Sequence, residues 1–460
     1  MKRKRKGGKN NNNKSCVFKM LFGVISCVAV YLYYRILMLD GKRGKTSSKT
    51  RIETRDGIFE FDGRKAIVTN RMGNIEETIV LNSLFEIHES NMIYTFEMCE
   101  LMHQEKVQLT YRCGANLIVE WSIQAEEKYF RITTKVRSNQ ATSTSLQRLV
   151  GIGLTPQDEV ATSGHVPGSP LILKSFFYSF ESPLSETYKS GKRFISSSLT
   201  NVMSDIKYTA VLGLVNESVR RDVLHYLLHA RSQRKLRAFK PWLHYNSWFD
   251  FWSWQEPDKS FQATRMMNEK NCMNRIESVT RELEHVDSFL LDDGWDDKEG
   301  NNMWSFERHN FPNGFERVGT FSEKKHTGIG VWLSPWGGYG DAKTRRLELG
   351  KQLGYEVNDA GFSISGSKYH ERFREIALEF VEKYKVNMFK FDGMAGENAA
   401  SEMTSLMSLI DELRDASSKP LFISCTTGTW PSIFYMLHCD SIWRGGTDVG
   451  FYGEYSLPTH

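Results

Sequence analysis

The sequence predicts a multidomain β + α/β protein: an N-terminal β-sandwich followed by a (β/α)8-type (TIM) barrel, truncated after its sixth strand. Three observations carry this. Between 51 and 235, short segments alternate in hydrophobicity and are bounded by Gly, Asn and Asp, as half-buried antiparallel strands are. From 238 onward, apolar strands alternate with amphipathic helices, the grammar of parallel βα units. The ends of those strands collect Asp, Trp and Gly, as the chemical rim of a barrel does.

In the sandwich region, 58–61, 117–121 and 130–134 read as strands, and 156–170 (PQDEVATSGHVPGSP) as a long loop rich in turn formers. In the barrel region, 242–248 is the first strand. A helix follows with Met273, Ile276, Val279 and Leu283 on one face. The second strand, 286–291, stops at Asp292-Asp293-Gly294-Trp295, and the third, 328–333, at Ser334-Pro335-Trp336. The helix carrying Phe373, Ile376, Ala377, Phe380 and Val381 leads to the fourth strand, 386–391, which ends in Asp392-Gly393. The helix carrying Met403, Leu406, Met407, Ile410 and Leu413 leads to the fifth, 421–424. Pro431 fits the first turn of a short helix, and 441–444 is the sixth strand. A full barrel needs about two more βα units, so the barrel domain at 238–460 is expected to be incomplete. A doubly wound open sheet is the alternative, but no strand is followed by GxGxxG or a P-loop.

The charge is unevenly spread. Residues 1–55 hold 15 Lys and Arg against 2 Asp and Glu, whereas the remainder holds 45 against 53. A folded part with that balance is a poor nucleic-acid binder, so no nucleic-acid partner is expected. The positive charge marks a basic cytoplasmic tail at 1–19. An apolar run at 16–39, charge-free from Met20 to Tyr34, reads as a signal-anchor transmembrane helix, with Lys19 and Arg35 snorkelling to the interfaces. A cleaved signal peptide would also fit the uncharged run, but no small-x-small site precedes its Tyr-rich end. A basic stem at 40–50 follows. The expected location is a single-pass type II membrane protein, its catalytic part in the Golgi or ER lumen or at the cell surface. In such a lumen the Asn216-Glu217-Ser218 sequon would be a glycosylation site. Cys99 and Cys113, spaced like neighbours on adjacent strands, could pair there or remain buried thiols. The seven cysteines include no CxxC, so no structural zinc site is expected, and the sequence implies no other metal and no organic cofactor.

Asp392 lies at a strand end beside Lys390, which favours the ionised form a nucleophile needs. Asp448 lies just past another strand end. Two carboxylates facing each other across a barrel mouth suit cleavage of a glycosidic bond. Asp292 and Asp293, too close in sequence to flank a bond, are better placed to accept hydrogen bonds from sugar hydroxyls. Trp248, Trp295, Trp332 and Trp336 are candidate stacking surfaces for a sugar ring.

The segments NSWFD (246–250), LLDDGWD (290–296), FKFDGM (389–394) and WRGGTD (443–448) resemble the α-galactosidase and melibiase clan of retaining glycoside hydrolases. The nearest likeness is to family 36 and its raffinose-synthase group, over about 238–455. The resemblance implies Asp392 as nucleophile, and Asp448, four positions after Arg444, as acid/base. It implies Asp292 and Asp293 as ligands of the sugar's O4 and O6 hydroxyls, and Lys390 and Arg444 as contacts that orient sugar and carboxylates. The function implied is double-displacement hydrolysis of α-galactoside-like glycans. The alternatives are a raffinose-synthase-like transglycosidase and a truncated, non-catalytic glycan binder. The segment 424–428 (SCTTG) stands where family members place substrate-selective residues and matches no type that names the sugar. The last two barrel units, the C-terminal β-domain and an unanchored N-terminus are the other departures from the family.

Overall fold

Three antiparallel sheets occupy the first half of the chain. The computed structural model describes residues 49–442 except 64, 73–75, 82, 90–91, 139–145, 155–159, 191–192, 203–205, 217, 235, 237–239, 252–258, 301, 395–401 and 427–431. The basic tail, the apolar run at 16–39 and nearly all of the stem thus lie outside the described residues. Among those described, no helix is long and apolar enough to cross a membrane.

Thr50–Glu53, Gly57–Phe61, Ala66–Asn70 and Glu77–Leu81 form a four-stranded sheet. An eight-stranded sheet is centred on Leu117–Glu126 and Tyr129–Ser138, paired without a slip from Leu117↔Ser138 to Glu126↔Tyr129. A five-stranded sheet is built on Leu146–Leu154 and Arg193–Val202. Along Leu117–Glu126 the period of two is plain: Leu117, Val119, Trp121 and Ile123 are buried while Ile118, Glu120 and Ser122 are half-exposed. All three sheets feed one core, with Phe59 and Val68 from the first, Trp121 and Phe130 from the second, and Ile87 and Leu149 from the third. The antiparallel β-sandwich expected from sequence is thus built of three hydrogen-bonded sheets around one core. Alternation reveals which face of a strand is buried, not which strand pairs beside it. A disulfide joins Cys99 to Cys113.

A helix, α1 (Val219–Ser232), closes this half. Val223, Tyr226 and Leu227 pack on Tyr129, Phe177 and Val211 of the eight-stranded sheet and on Phe434 and Leu437 from far down the chain.

The second half is a six-stranded, wholly parallel sheet in sequence order: β1 (His244–Asn246), β2 (Ser288–Leu291), β3 (Gly328–Leu333), β4 (Met388–Phe391), β5 (Phe422–Cys425) and β6 (Ser441–Ile442). These fall on the six strands read from sequence: 328–333 is unchanged, 242–248, 286–291 and 386–391 are shorter, 421–424 moves by one residue, and the end of the sixth, 443–444, lies outside the described residues. The connecting helices are α2 (Glu269–Glu282), α3 (Glu316–Lys324), α4 (Gly340–Gln352), α5 (Ser367–Glu382) and α6 (Met403–Ala416). Phe373, Ile376 and Phe380 of α5 and Leu406, Ile410 and Leu413 of α6 share one core with Phe289, Val331, Phe389 and Ile423 of the strands. A separate small cluster of Leu290, Met388 and Phe422, with Trp242 against it, belongs to the inward face. Parallel strands covered on both faces read as the near-continuous apolar runs seen here.

The two halves are bonded through buried polar groups. Arg231 at the end of α1 donates to Asp440 Oδ1 at 3.0 Å and to the Cys439 carbonyl at 2.8 Å. Within the second half, Arg414 of α6 holds the other oxygen of the same carboxylate, donating to Asp440 Oδ2 at 3.1 Å. The Ser185 and Ser432 hydroxyls hydrogen-bond at 2.7 Å. A second disulfide, unforeseen from sequence, links Cys425 at the end of β5 to Cys439 just before β6.

Candidate active site

On β4, alternation turns Phe389 and Phe391 toward the helices, leaving Met388 and Lys390 for the interior. Asp392 follows the last strand residue. Its backbone N–H still bonds the Leu333 carbonyl at 3.0 Å, while Gly393 adopts a left-handed φ of 75° and turns the chain.

The Asp392 carboxylate is buried and surrounded by donors. Oδ1 accepts from Tyr339 Oη at 2.9 Å, Thr426 Oγ1 at 2.8 Å and the Gly393 N–H at 2.7 Å. Oδ2 accepts from Trp332 Nε1 at 2.9 Å and faces Lys390 Nζ at 3.6 Å. Lys390 Nζ also donates to Asp292 Oδ2 at 2.8 Å, so one ammonium bridges two carboxylates at the ends of β2 and β4. Burial pushes the Asp292 carboxyl up; Lys390 pulls it back, and nearby Asp392 adds to the rise. The Asp292 loop is pinned from β1, because Ser247 Oγ accepts from the Asp292 N–H at 2.9 Å.

Asp293 belongs to a different network. Its Oδ1 receives Arg346 Nη2 at 3.2 Å and Lys298 Nζ at 3.1 Å. The same two cations hold Asp296: Arg346 Nε bonds Oδ2 at 3.0 Å, Nη2 bonds Oδ1 at 2.9 Å, and Lys298 Nζ lies 3.2 Å from Oδ1. All four side chains are buried, and the Arg346 guanidinium lies 4.7 Å from the Trp304 ring centroid. The sequence places Asp292 and Asp293 together as sugar ligands; the structure separates them, with Asp292 beside Lys390 and Asp293 in this ion cluster.

The tryptophans are corrected more sharply. Trp295 is buried among Trp304, Phe306, Phe315 and Phe380, and its Nε1 bonds the Trp332 carbonyl at 2.9 Å. Trp336 is buried in the same core. Neither presents a face to a ligand, because the aromatic residues of 302–315 and α5 cover this side of the sheet. Trp332 is a hydrogen-bond donor to Asp392 and not a platform. Trp248 remains half-buried beyond β1, its N–H capped by Asn246 Oδ1 at 2.9 Å. Asp448 and Arg444 lie outside the described residues, and with them the separation of the two expected catalytic carboxylates. Asn216 is exposed.

Three partners of Asp392 were not assigned that role from sequence: Trp332, Tyr339 and Thr426. The available signal was position, since Trp332 and Thr426 stand at the ends of the strands flanking β4. Among the described residues, no group of three or more His, Cys, Asp or Glu is arranged to hold a metal.

The fold, a β-rich half followed by parallel βα units, is similar to that of solved GH36 glycosidase structures. The alpha-galactosidase from Lactobacillus brevis superposes with a TM-score of 0.53 at 11% identity, over 87% of this chain and 73% of that one. A substituted form of the GH36 alpha-galactosidase AgaA from Geobacillus stearothermophilus, in complex with stachyose, gives 0.54 at 10%, over 87% and 76%. AgaB from the same organism gives 0.51 at 11%, over 87% and 76%. No family model and no curated protein matches the chain. At these identities the likeness establishes the fold.

Proposed function

We propose that this chain is a retaining glycoside hydrolase acting on α-galactoside-like glycans, and that its parallel sheet is part of a (β/α)8 barrel. The observation that carries the reading is the Asp392–Lys390–Asp292 arrangement at the strand ends. Asp392 attacks the anomeric carbon while Asp448 protonates the departing oxygen; Asp448 then activates the water that releases the sugar. Asp292 accepts from a sugar hydroxyl, and Lys390 holds both carboxylates in place. Arg444 lies in the same motif as Asp448 and orients it. Stachyose, an α-galactosyl oligosaccharide held by one fold relative, supports this choice of substrate class.

The test is hydrolysis of aryl α-galactosides by the 460-residue chain and by Asp448→Asn. Substrates with poor leaving groups are expected to slow by about a hundredfold or more in the variant, the scale of general acid catalysis. Activated aryl substrates, which need little protonation, slow far less. Equal losses on both would remove Asp448 from the acid role.

We also propose that the folded part lies in a lumen or outside the cell, anchored through 16–39. Two disulfides, the exposed Asn216 that opens a sequon and the basic leader support this. Protease added to sealed microsomes is expected to spare everything after residue 40, and Asn216→Gln to abolish a glycan mass shift. Digestion of the folded part in intact vesicles contradicts the topology.

A further inference from the structure

His438 follows the short helical turn Ile433–Leu437, whose Phe434 and Leu437 pack with α1, and it precedes Cys439 and Asp440. Its side chain is 11% exposed. The two ring nitrogens have partners of opposite kind. A guanidinium can only donate, so Nε2, 3.4 Å from Arg234 Nη1, is an acceptor. An ionised carboxylate can only accept, so Nδ1, 3.4 Å from Asp411 Oδ1, carries the proton. Arg234 stands just beyond α1 and Asp411 lies on α6, so the neutral ring joins the two halves of the protein.

That bridge holds only while the ring is neutral. A second proton can go only on Nε2, where its N–H would point at the N–H of Arg234, and the bond would become a repulsion. The groups packed around the ring are already rich in positive charge. Arg414 of α6 donates to the His438 carbonyl, while Arg231 and Arg234 donate to the carbonyls of Cys439 and Leu437. The Asp440 carboxylate is held between Arg231 and Arg414. Asp411 is the carboxylate facing the ring, and its own side chain is 47% exposed. Burial, ahead of every other effect, pushes the His438 pKa below the ordinary histidine value; Asp411 acts against this, and Arg234 and Arg414 add to the lowering.

We propose that Asp411, His438 and Arg234 form an acid-released latch between α1 and the segment that seats β6, closed while His438 is neutral and opened by its protonation. A histidine whose pKa is lower in the closed form takes up a proton on release. The latch is therefore fully closed above the ordinary histidine pKa of about 6.5 and weakens as the pH falls from there toward the lower, closed-form value. Each pH unit within that window favours the open form by about tenfold. The inference does not depend on the glycosidase reading.

The experiment is hydrogen exchange of the full chain read by mass spectrometry, with intrinsic exchange rates corrected for pH, between about pH 7.5 and about pH 5, either side of the ordinary histidine pKa. Protection of 433–442 and of the last turn of α1 is expected to fall by about tenfold or more over that range, while β3 and β4 keep theirs. His438→Gln offers Arg234 an amide oxygen near the place of Nε2 and cannot take up the proton. It is expected to hold the segment at the higher pH and to lose the acid-dependent fall. Arg234→Gln places opposite Nε2 an amide that can accept as well as donate, and is expected to shrink the fall. No fall in the wild type overturns the latch. So does an undiminished fall in His438→Gln or, should that variant not fold, in Arg234→Gln.

Discussion

Asp392→Asn is expected to lower kcat on aryl α-galactosides by about ten-thousandfold or more, even with the best leaving groups, while the fold persists. The side chain keeps its shape but loses its function in two ways. An amide is a poor nucleophile at an anomeric carbon. Its NH2 group would also point at donors, because Trp332 Nε1, Tyr339 Oη, Thr426 Oγ1 and the Gly393 N–H already converge on the carboxylate. Lys390 would keep only Asp292 as a charged partner among the described groups. Far-UV circular dichroism checks the fold and initial rates check the chemistry. Turnover within tenfold of wild type on activated substrates would show that another residue attacks.

The second large effect concerns stability. Arg346→Met is expected to destabilise the folded chain by about 3–5 kcal/mol, because Asp293 and Asp296 would remain buried with Lys298 as their one described cation. Arg346→Lys keeps the charge but loses the planar fork that reaches both carboxylates and the Gly337 carbonyl, so a smaller loss is expected. Denaturant unfolding followed by tryptophan fluorescence measures both. A shift below about 1 kcal/mol for Arg346→Met would mean that the cluster admits water and behaves as a surface pair does.

Much of this was legible in the sequence. Parallel strands announce themselves as short apolar runs, and Asp292 and Asp392 could be placed at strand ends because helix and strand periods differ. Partnership between distant residues was not legible. Nothing local marks Arg346 as the partner of Asp293 or Asp296, 53 and 50 positions earlier. Nothing in their spacing marks Cys425 and Cys439 as bonded, or assigns the eighth strand of a sheet to one layer and not another. The tryptophans misled for a related reason. A Trp at a strand end can face the mouth of the site or the helices behind it, and the choice depends on aromatic residues such as Phe306, Phe315 and Phe380, which arrive later in the chain. The helix α1 was missed because its apolar residues do not keep to one face: Val223, Tyr226 and Leu227 are buried while Leu224 and Leu228 are exposed, which blurs the helical period.

Arg231 and Asp440 are separated by 209 residues, so their pairing can form only after Asp440 has been synthesised. As the polypeptide leaves the ribosome, the three sheets and α1 are complete while the strand after Asp440 is still unmade. The N-terminal part of a nascent chain folds first. Until Asp440 emerges, Arg231 waits without its carboxylate on a preassembled surface that also carries Tyr226 and Leu227. The segment around Phe434 and Leu437 then docks on that surface as β6 joins its sheet. The last described strand is thereby held by α1 of the first half as well as by the strand beside it.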